Sequence, residues 1–136
     1  MRCILTGAAP INPDTLDFLK ICFSVPIVEC YGQSESSGPC FNTIPKDSFS
    51  SGHVGGPLSV CEYWLEDVPE MNYFSRDHVG EVLIRGSVVF DGYFWNPTLT
   101  NETIKDGWLH TGDIAKILPS GALKIIDRKK HLFKLS

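Results

Sequence analysis

The segment YGQSESSG, residues 31–38, sets an aromatic, a glycine, hydroxyls and a single carboxylate side by side between two apolar runs. Tyr31 offers a ring face on which a base can stack. Gly32 lets the backbone bend, Ser34 supplies a hydroxyl donor for a phosphate oxygen, and Glu35 supplies the hard oxygen that Mg²⁺ prefers. Three other stretches carry related chemistry. Gly7, Ala8, Ala9 and Pro10 follow an apolar run with small side chains, leaving bare backbone that a flat ring can approach closely. Asp113, within WLHTGDIAKI, can accept from both hydroxyls of a ribose. Arg128, within IIDRKKHLFK, can reach ribose or phosphate oxygens. Each stretch taken alone also fits a plainer reading: a tight strand-to-helix turn, a polar turn with a solvated Glu, a turn Asp after Gly112, and a charged strand end.

These side chains must be carried by short elements. CILTG reads as a strand, and INPDTLDFLKICF as a helix: Asn12 is a good N-cap, Pro13 suits the first turn, and Asp14 complements the helix N-terminus. Leu16, Leu19 and Phe23, three and four residues apart, predict an apolar helix face. VPIVECYG reads as a strand entering a glycine turn, with Pro26 confined to its start or an edge. From residue 52 the pattern turns to short β-rich runs: HVGGPL, VCEYWLEDV, GEVLIRG, VVFDGYF and GALKIID, with a hairpin signal in LPSGAL. NPTLTNETI alone reads as a helix, opened by Asn96 and Pro97. The expected class is α/β plus β: a partial α/β sheet over residues 1–50, a small distorted antiparallel barrel over 51–126, and a short joining segment over 127–136.

Bulk composition narrows the function. The 136 residues are one domain's worth, and 43% hydrophobic content suffices for a core. A net charge of -4 provides no global field for nucleic acid or anionic membrane. No apolar run reaches the roughly 20 residues that span a bilayer, and the first residues lack the shape of a signal peptide. Cys3, Cys22, Cys30, Cys40 and Cys61 form no C-x-x-C pair, so reduced thiols in a soluble, cytosol-facing chain are the simpler reading. His53, His78, His110 and His131 read as structural or solvated, with His110 notable for its place beside Thr111 and Asp113. Both ends fall in mid-pattern, which implies a piece of something larger.

Together and in this order the stretches resemble the adenylate-forming enzymes: acyl-CoA synthetases, nonribosomal-peptide adenylation domains and firefly luciferases. TGAAP, YGQSE, GEVLIRG, VFDGYFWNP, DGWLHTGDIA and GALKIIDRKK look like successive signature blocks of that superfamily. GHVGGPL, VPEMNYF and the final thirty residues most resemble eukaryotic long-chain fatty acyl-CoA synthetases, and the resemblance covers essentially the whole chain. It implies ATP, Mg²⁺ and coenzyme A, with a fatty acid as substrate. Residues 7–10 and the backbone of Cys30, Tyr31 and Gly32 would form the adenine slot, with Tyr31 stacked on the ring. Ser34, where threonine is commoner, would touch the α-phosphate, and Glu35 would hold Mg²⁺. Asp113 would take the ribose hydroxyls with help from Arg128, and Asp127 would match the hinge to a small C-terminal domain.

The resemblance also implies missing parts. The family's phosphate loop would lie upstream, and the lysine that drives adenylate formation would follow Ser136. The chain alone is therefore expected to be inactive, and its parent to be associated with an endoplasmic reticulum, mitochondrial outer or peroxisomal membrane. Two other readings stay open: a different adenylate-forming ligase, and a β-rich binding module without chemistry. The nucleotide reading requires Tyr31, Glu35 and Asp113 to converge on one cavity.

Overall fold

In the computed structural model, which describes residues 2–45 and 50–129, the chain opens with a β–α–β unit. Strand β1 (Ile4–Thr6) leads into helix α1 (Pro13–Phe23), which returns to strand β2 (Ile27–Gln33), parallel to β1 with Ile4 opposite Ile27. The Asn12 side chain accepts hydrogen bonds from the Asp14 and Thr15 amides at 2.9 and 3.3 Å, satisfying two of the orphan donors of the first turn. The expected apolar face of α1 holds only in part. Leu16 is its one buried residue, Leu19 is half-buried, and Phe23 is exposed beside Phe18 and Ile21. Spacing set which residues align, but the side chains packed against the helix decided which were covered.

A strand that the pattern did not reveal follows. After a 3₁₀ turn at Ser34–Ser36, β3 (Gly38–Asn42) pairs antiparallel with β2. β4 (Gly56–Pro57) extends the sheet, whose order is β1-β2-β3-β4. A register shift lies between Tyr31 and Gly32, where the backbones nearly touch. A Cβ at Gly32 would lie 2.0 Å from the Gly38 carbonyl oxygen, so no larger residue fits without moving a strand.

The second sheet is a curled antiparallel half-barrel of β5 (Cys61–Glu66), β6 (Val79–Gly86), β8 (Trp108–Ile117) and the short β7 (Ile104–Lys105), with β9 (Leu123–Arg128) on β8. Helix α2 (Pro97–Thr103) starts at Asn96, whose side chain accepts from the Leu99 amide at 3.0 Å. The turn joining β8 to β9 closes with Leu118 and Ala122 bonded at 2.8 Å. The expectation of a strand at VVFDGYF is overturned, because residues 87–95 are turns and irregular chain. Their backbone groups bond elsewhere: Phe90 donates to the Glu35 carbonyl at 2.9 Å, and Tyr93 donates to the Thr100 hydroxyl at 2.9 Å. Reciprocal 2.8 Å bonds between residues 54–55 and Leu123 stitch the two sheets together. One core cluster, including Phe41, Val82, Ile84, Leu109 and Leu123, draws on both. Among the described residues no helix is long and apolar enough to cross a membrane.

Candidate nucleotide site

The carboxyl ends of the parallel strands β1 and β2 open onto a crevice, the usual place for a ligand in an open α/β sheet. Strand β9 and Asp113 of β8 close its far side, leaving a cavity of about 570 Å³. Ala8, Ala9, Pro10, Cys30, Tyr31, Gly32, Asp113, Asp127 and Arg128, all singled out in the sequence, line it.

The electrostatic centre is a triad assembled from three strands. Asp113 is 5% exposed and faces Arg128 across the β8–β9 ladder. Its Oδ1 accepts from the Arg128 Nε at 2.7 Å, and its Oδ2 accepts from the Tyr31 hydroxyl at 2.9 Å. Burial, and then the adjacent Asp113 charge, hold the Tyr31 phenol far above its ordinary range, so it stays a donor. The hydrogen bond to Asp113, and then its charge, raise the Arg128 guanidinium in turn. A carboxylate offers about four acceptor positions. With one bond on each oxygen, about two remain, which is what a vicinal diol requires.

The convergence expected of Tyr31, Glu35 and Asp113 is only partly realised. Tyr31 and Asp113 touch, but Gly7, Ser34 and Glu35 do not line the cavity. The cause is the 3₁₀ turn after β2, which carries Ser34 and Glu35 beyond the wall. There the Glu35 Oε1 accepts from the Tyr93 hydroxyl at 2.6 Å. Gly7 acts from behind, its missing side chain leaving room for the Cys30 carbonyl, 2.8 Å from where a Cβ would sit. The Tyr31 ring leans on Phe41, with centroids 5.9 Å apart and planes at 53°. Asp127 pairs with Ile114 inside β9, and its Oδ1 accepts from the Arg128 amide at 2.7 Å.

Of the histidines, His53 lines the cavity, and its Nδ1 accepts from the Gly55 amide at 3.0 Å. His78 ends a 3₁₀ turn at positive φ, and His110 stands 3.6 Å from Glu66 and 3.9 Å from Glu81. His131 lies outside the described residues.

Sequence reading missed Glu29. It lines the cavity at 6% exposure, and its Oε2 is buried without a hydrogen-bond partner, a costly state for a carboxylate oxygen. The available signal was its place two residues before Tyr31, on the same face of one strand, as a charged residue in an apolar run. Burial raises the Glu29 carboxyl, against the opposing pull of the Ile11 backbone bond and the Lys20 charge. A raised acid in the fold means that the folded chain keeps its proton to higher pH than the unfolded chain. This contribution to stability is complete below the ordinary value of 4.5 and is lost as pH rises through the folded value. Glu29→Gln should therefore flatten the fall in thermal midpoint on going from acid to neutral pH, read by calorimetry across that window. A variant curve parallel to the parent's would show that Glu29 does not carry the penalty.

The fold is that of a part of the N-terminal domain found in adenylate-forming enzymes, and the cavity sits within that part. O-succinylbenzoate Coenzyme A Synthetase (MenE) from Bacillus subtilis, in complex with ATP and magnesium ion, superposes with a TM-score of 0.78 at 28% identity. That match covers 95% of this chain and 27% of the other. The inhibitor-bound N-terminal domain of FACL13 from Mycobacterium tuberculosis gives 0.78 at 26% identity, covering 94% and 32%. The pattern of the AMP-binding enzyme family matches residues 1–94, and the chain belongs to that family. Fatty acyl-CoA synthetase A of Dictyostelium discoideum is 53% identical over all of this chain and 21% of its own length. Long-chain-fatty-acid-CoA ligase 6 of Homo sapiens is 50% identical over all of this chain and 20% of its own. The chain thus spans about a fifth of the curated relatives it matches.

Proposed function

We propose that this chain forms the adenosine-binding wall of an ATP-dependent long-chain fatty acid–CoA ligase. The observation that carries the reading is the Tyr31–Asp113–Arg128 triad beside the unpartnered Glu29 oxygen in one cavity. The adenine ring lies between residues 8–10 and the backbone of residues 30–32, against Tyr31, and its exocyclic amine donates to Glu29. Asp113 accepts from the ribose hydroxyls, while Arg128, its side chain 57% exposed, reaches the ribose or phosphate oxygens. Ser34 donates to the α-phosphate from the turn beyond the wall. The MenE complex with ATP and magnesium and the long-chain names of the relatives support this choice of ligands.

In the parent reaction the fatty acid carboxylate attacks the α-phosphorus, and pyrophosphate leaves with the bonding electrons. The coenzyme A thiolate then attacks the acyl carbonyl, and AMP leaves. This chain's part is to hold the nucleotide so that the attacking oxygen meets a fixed phosphorus. Glu35 fits a metal site in its chemistry, because Mg²⁺ is commonly bound by one or two carboxylates plus substrate phosphates and water. Bound there, Mg²⁺ would neutralise phosphate charge. Asp127, at the end of this wall, stands at the hinge to the domain that moves between the half-reactions; residues 130–136 of the joining segment lie outside the described residues.

AMP titrated into the folded chain should raise its thermal midpoint, while GMP, which lacks the exocyclic amine at that ring position, should not. A midpoint unmoved by every adenine nucleotide would leave only a binding module without this chemistry. Thioester formation by the chain alone should be undetectable in a coupled pyrophosphate assay, and measurable turnover would overturn this division of labour between the chain and the rest of its parent.

A further inference from the structure

A second buried carboxylate lies behind the triad. Glu81, on β6, is 2% exposed, and each of its oxygens is engaged. Oε1 accepts from the Gly112 amide at 3.0 Å, and Oε2 accepts from the Lys129 ammonium at 3.0 Å. Gly112 and Lys129 are the chain neighbours of Asp113 and Arg128, so one side chain grips the backbone beside the first and the residue beside the second.

The ladder explains why Gly112 is available. The β6–β8 register passes from Glu81 opposite Ile114 to Leu83 opposite His110, so residues 111–113 face Val82 alone. Such a bulge leaves amides without ladder partners and re-aims the side chains next to it. Thr111 fills one gap, its hydroxyl donating to the Val82 carbonyl at 2.7 Å. Glu81 takes the Gly112 amide, and Asp113, the last residue of the bulge, lines the cavity. Glu66, Glu81 and His110 bring ligand atoms within 4.8 Å of one another, but the cation against Glu81 is already the Lys129 ammonium, which also lies 3.6 Å from Glu70.

We infer that Glu81 is a positioning residue that holds Asp113 and Arg128 in their paired arrangement, and so sets the affinity of the site for the ribose diol. The inference rests on the proposed nucleotide function for its ligand, though not for its geometry. The test compares AMP with 2′,3′-dideoxy-AMP by calorimetry on the chain. The parent chain should prefer AMP. Glu81→Gln, which turns an amide donor toward Lys129 or Gly112, should weaken AMP about tenfold and leave the dideoxy compound nearly unchanged, since the lost interactions are charge-assisted bonds that aim the diol acceptor. Lys129→Met should act in the same direction, and Lys129→Arg should restore the preference.

Equal weakening of both nucleotides, or no change in either, would overturn the inference. If Glu81→Gln does not fold, the half-exposed Lys129 pair of variants decides alone. If the parent chain binds no AMP, the nucleotide reading fails by itself, and amide hydrogen exchange of Gly112 judges the geometry without ligand. Exchange about tenfold faster in the Lys129→Met or Glu81→Gln variant than in the parent upholds the clamp, because protection there comes from the Glu81 carboxylate. Unchanged exchange removes it.

Discussion

Asp113→Ala should abolish the thermal shift produced by AMP while the chain stays folded. In the proposed site, two bonds to the ribose hydroxyls would be lost together. Hydrogen bonds to charged groups are each worth about 1.5–3 kcal/mol, so affinity should fall by two orders of magnitude or more. The substitution also strands the Tyr31 hydroxyl and the Arg128 guanidinium, which now share this one acceptor. Arg128 is exposed enough to turn to water, whereas Tyr31 is held against Phe41 and the core, so a small loss of stability should accompany the loss of binding. Asp113→Asn sharpens the test. The amide keeps the shape but offers one acceptor oxygen in place of two, and its NH₂ must face either the Arg128 guanidinium, a donor only, or the Tyr31 hydroxyl, which must then turn to accept and give up its own bond. It should bind AMP little better than the alanine variant, with circular dichroism confirming the fold. Retained AMP affinity in either variant would place the ribose elsewhere and remove the basis for the assignments around it.

Phe41→Ala should carry the largest cost in stability. The Phe41 ring is fully buried where the two sheets meet, with Tyr31 at 5.9 Å and Tyr63 edge-on at 5.2 Å. Removing a core phenylalanine costs about 3–5 kcal/mol, a large part of the roughly 5–15 kcal/mol that holds a domain together. Strand register limits how far the site can collapse, because Phe41 pairs Tyr31 on one side and Pro57 on the other. Urea unfolding should show a much lower midpoint with an unchanged slope. Because the Tyr31 ring leans on Phe41, the variant should also bind AMP more weakly under conditions where it remains folded. A midpoint near that of the parent would mean that the two sheets do not depend on one shared core.

Local signals were readable in the chain because their causes lie within a few residues. Asn12 and Asn96 cap α1 and α2 through side chains that reach amides two or three positions on. The β8 and β9 strands and the turn between them follow from alternating apolar residues broken by Pro119 and Gly121. The same locality misled at VVFDGYF, whose apolar residues suit a strand but whose amides bond to Glu35 and Thr100. It misled again at Phe23, placed on the helix face by spacing yet left uncovered.

Residue types named Tyr31, Asp113 and Arg128 as candidates, and the motif order pointed to the family. What no stretch of chain states is that the Tyr31 hydroxyl meets Asp113 across 82 positions, or that Glu81 reaches Lys129 across 48. Those contacts depend on which strands pair, in which register, and where a bulge turns one side chain off the ladder. A one-residue slip would send every side chain to the opposite face. Types and spacing supply the chemistry; only the folded pairing of β2, β6, β8 and β9 decides that a carboxylate meets its phenol and guanidinium, and that Glu29 is left with an oxygen unmatched.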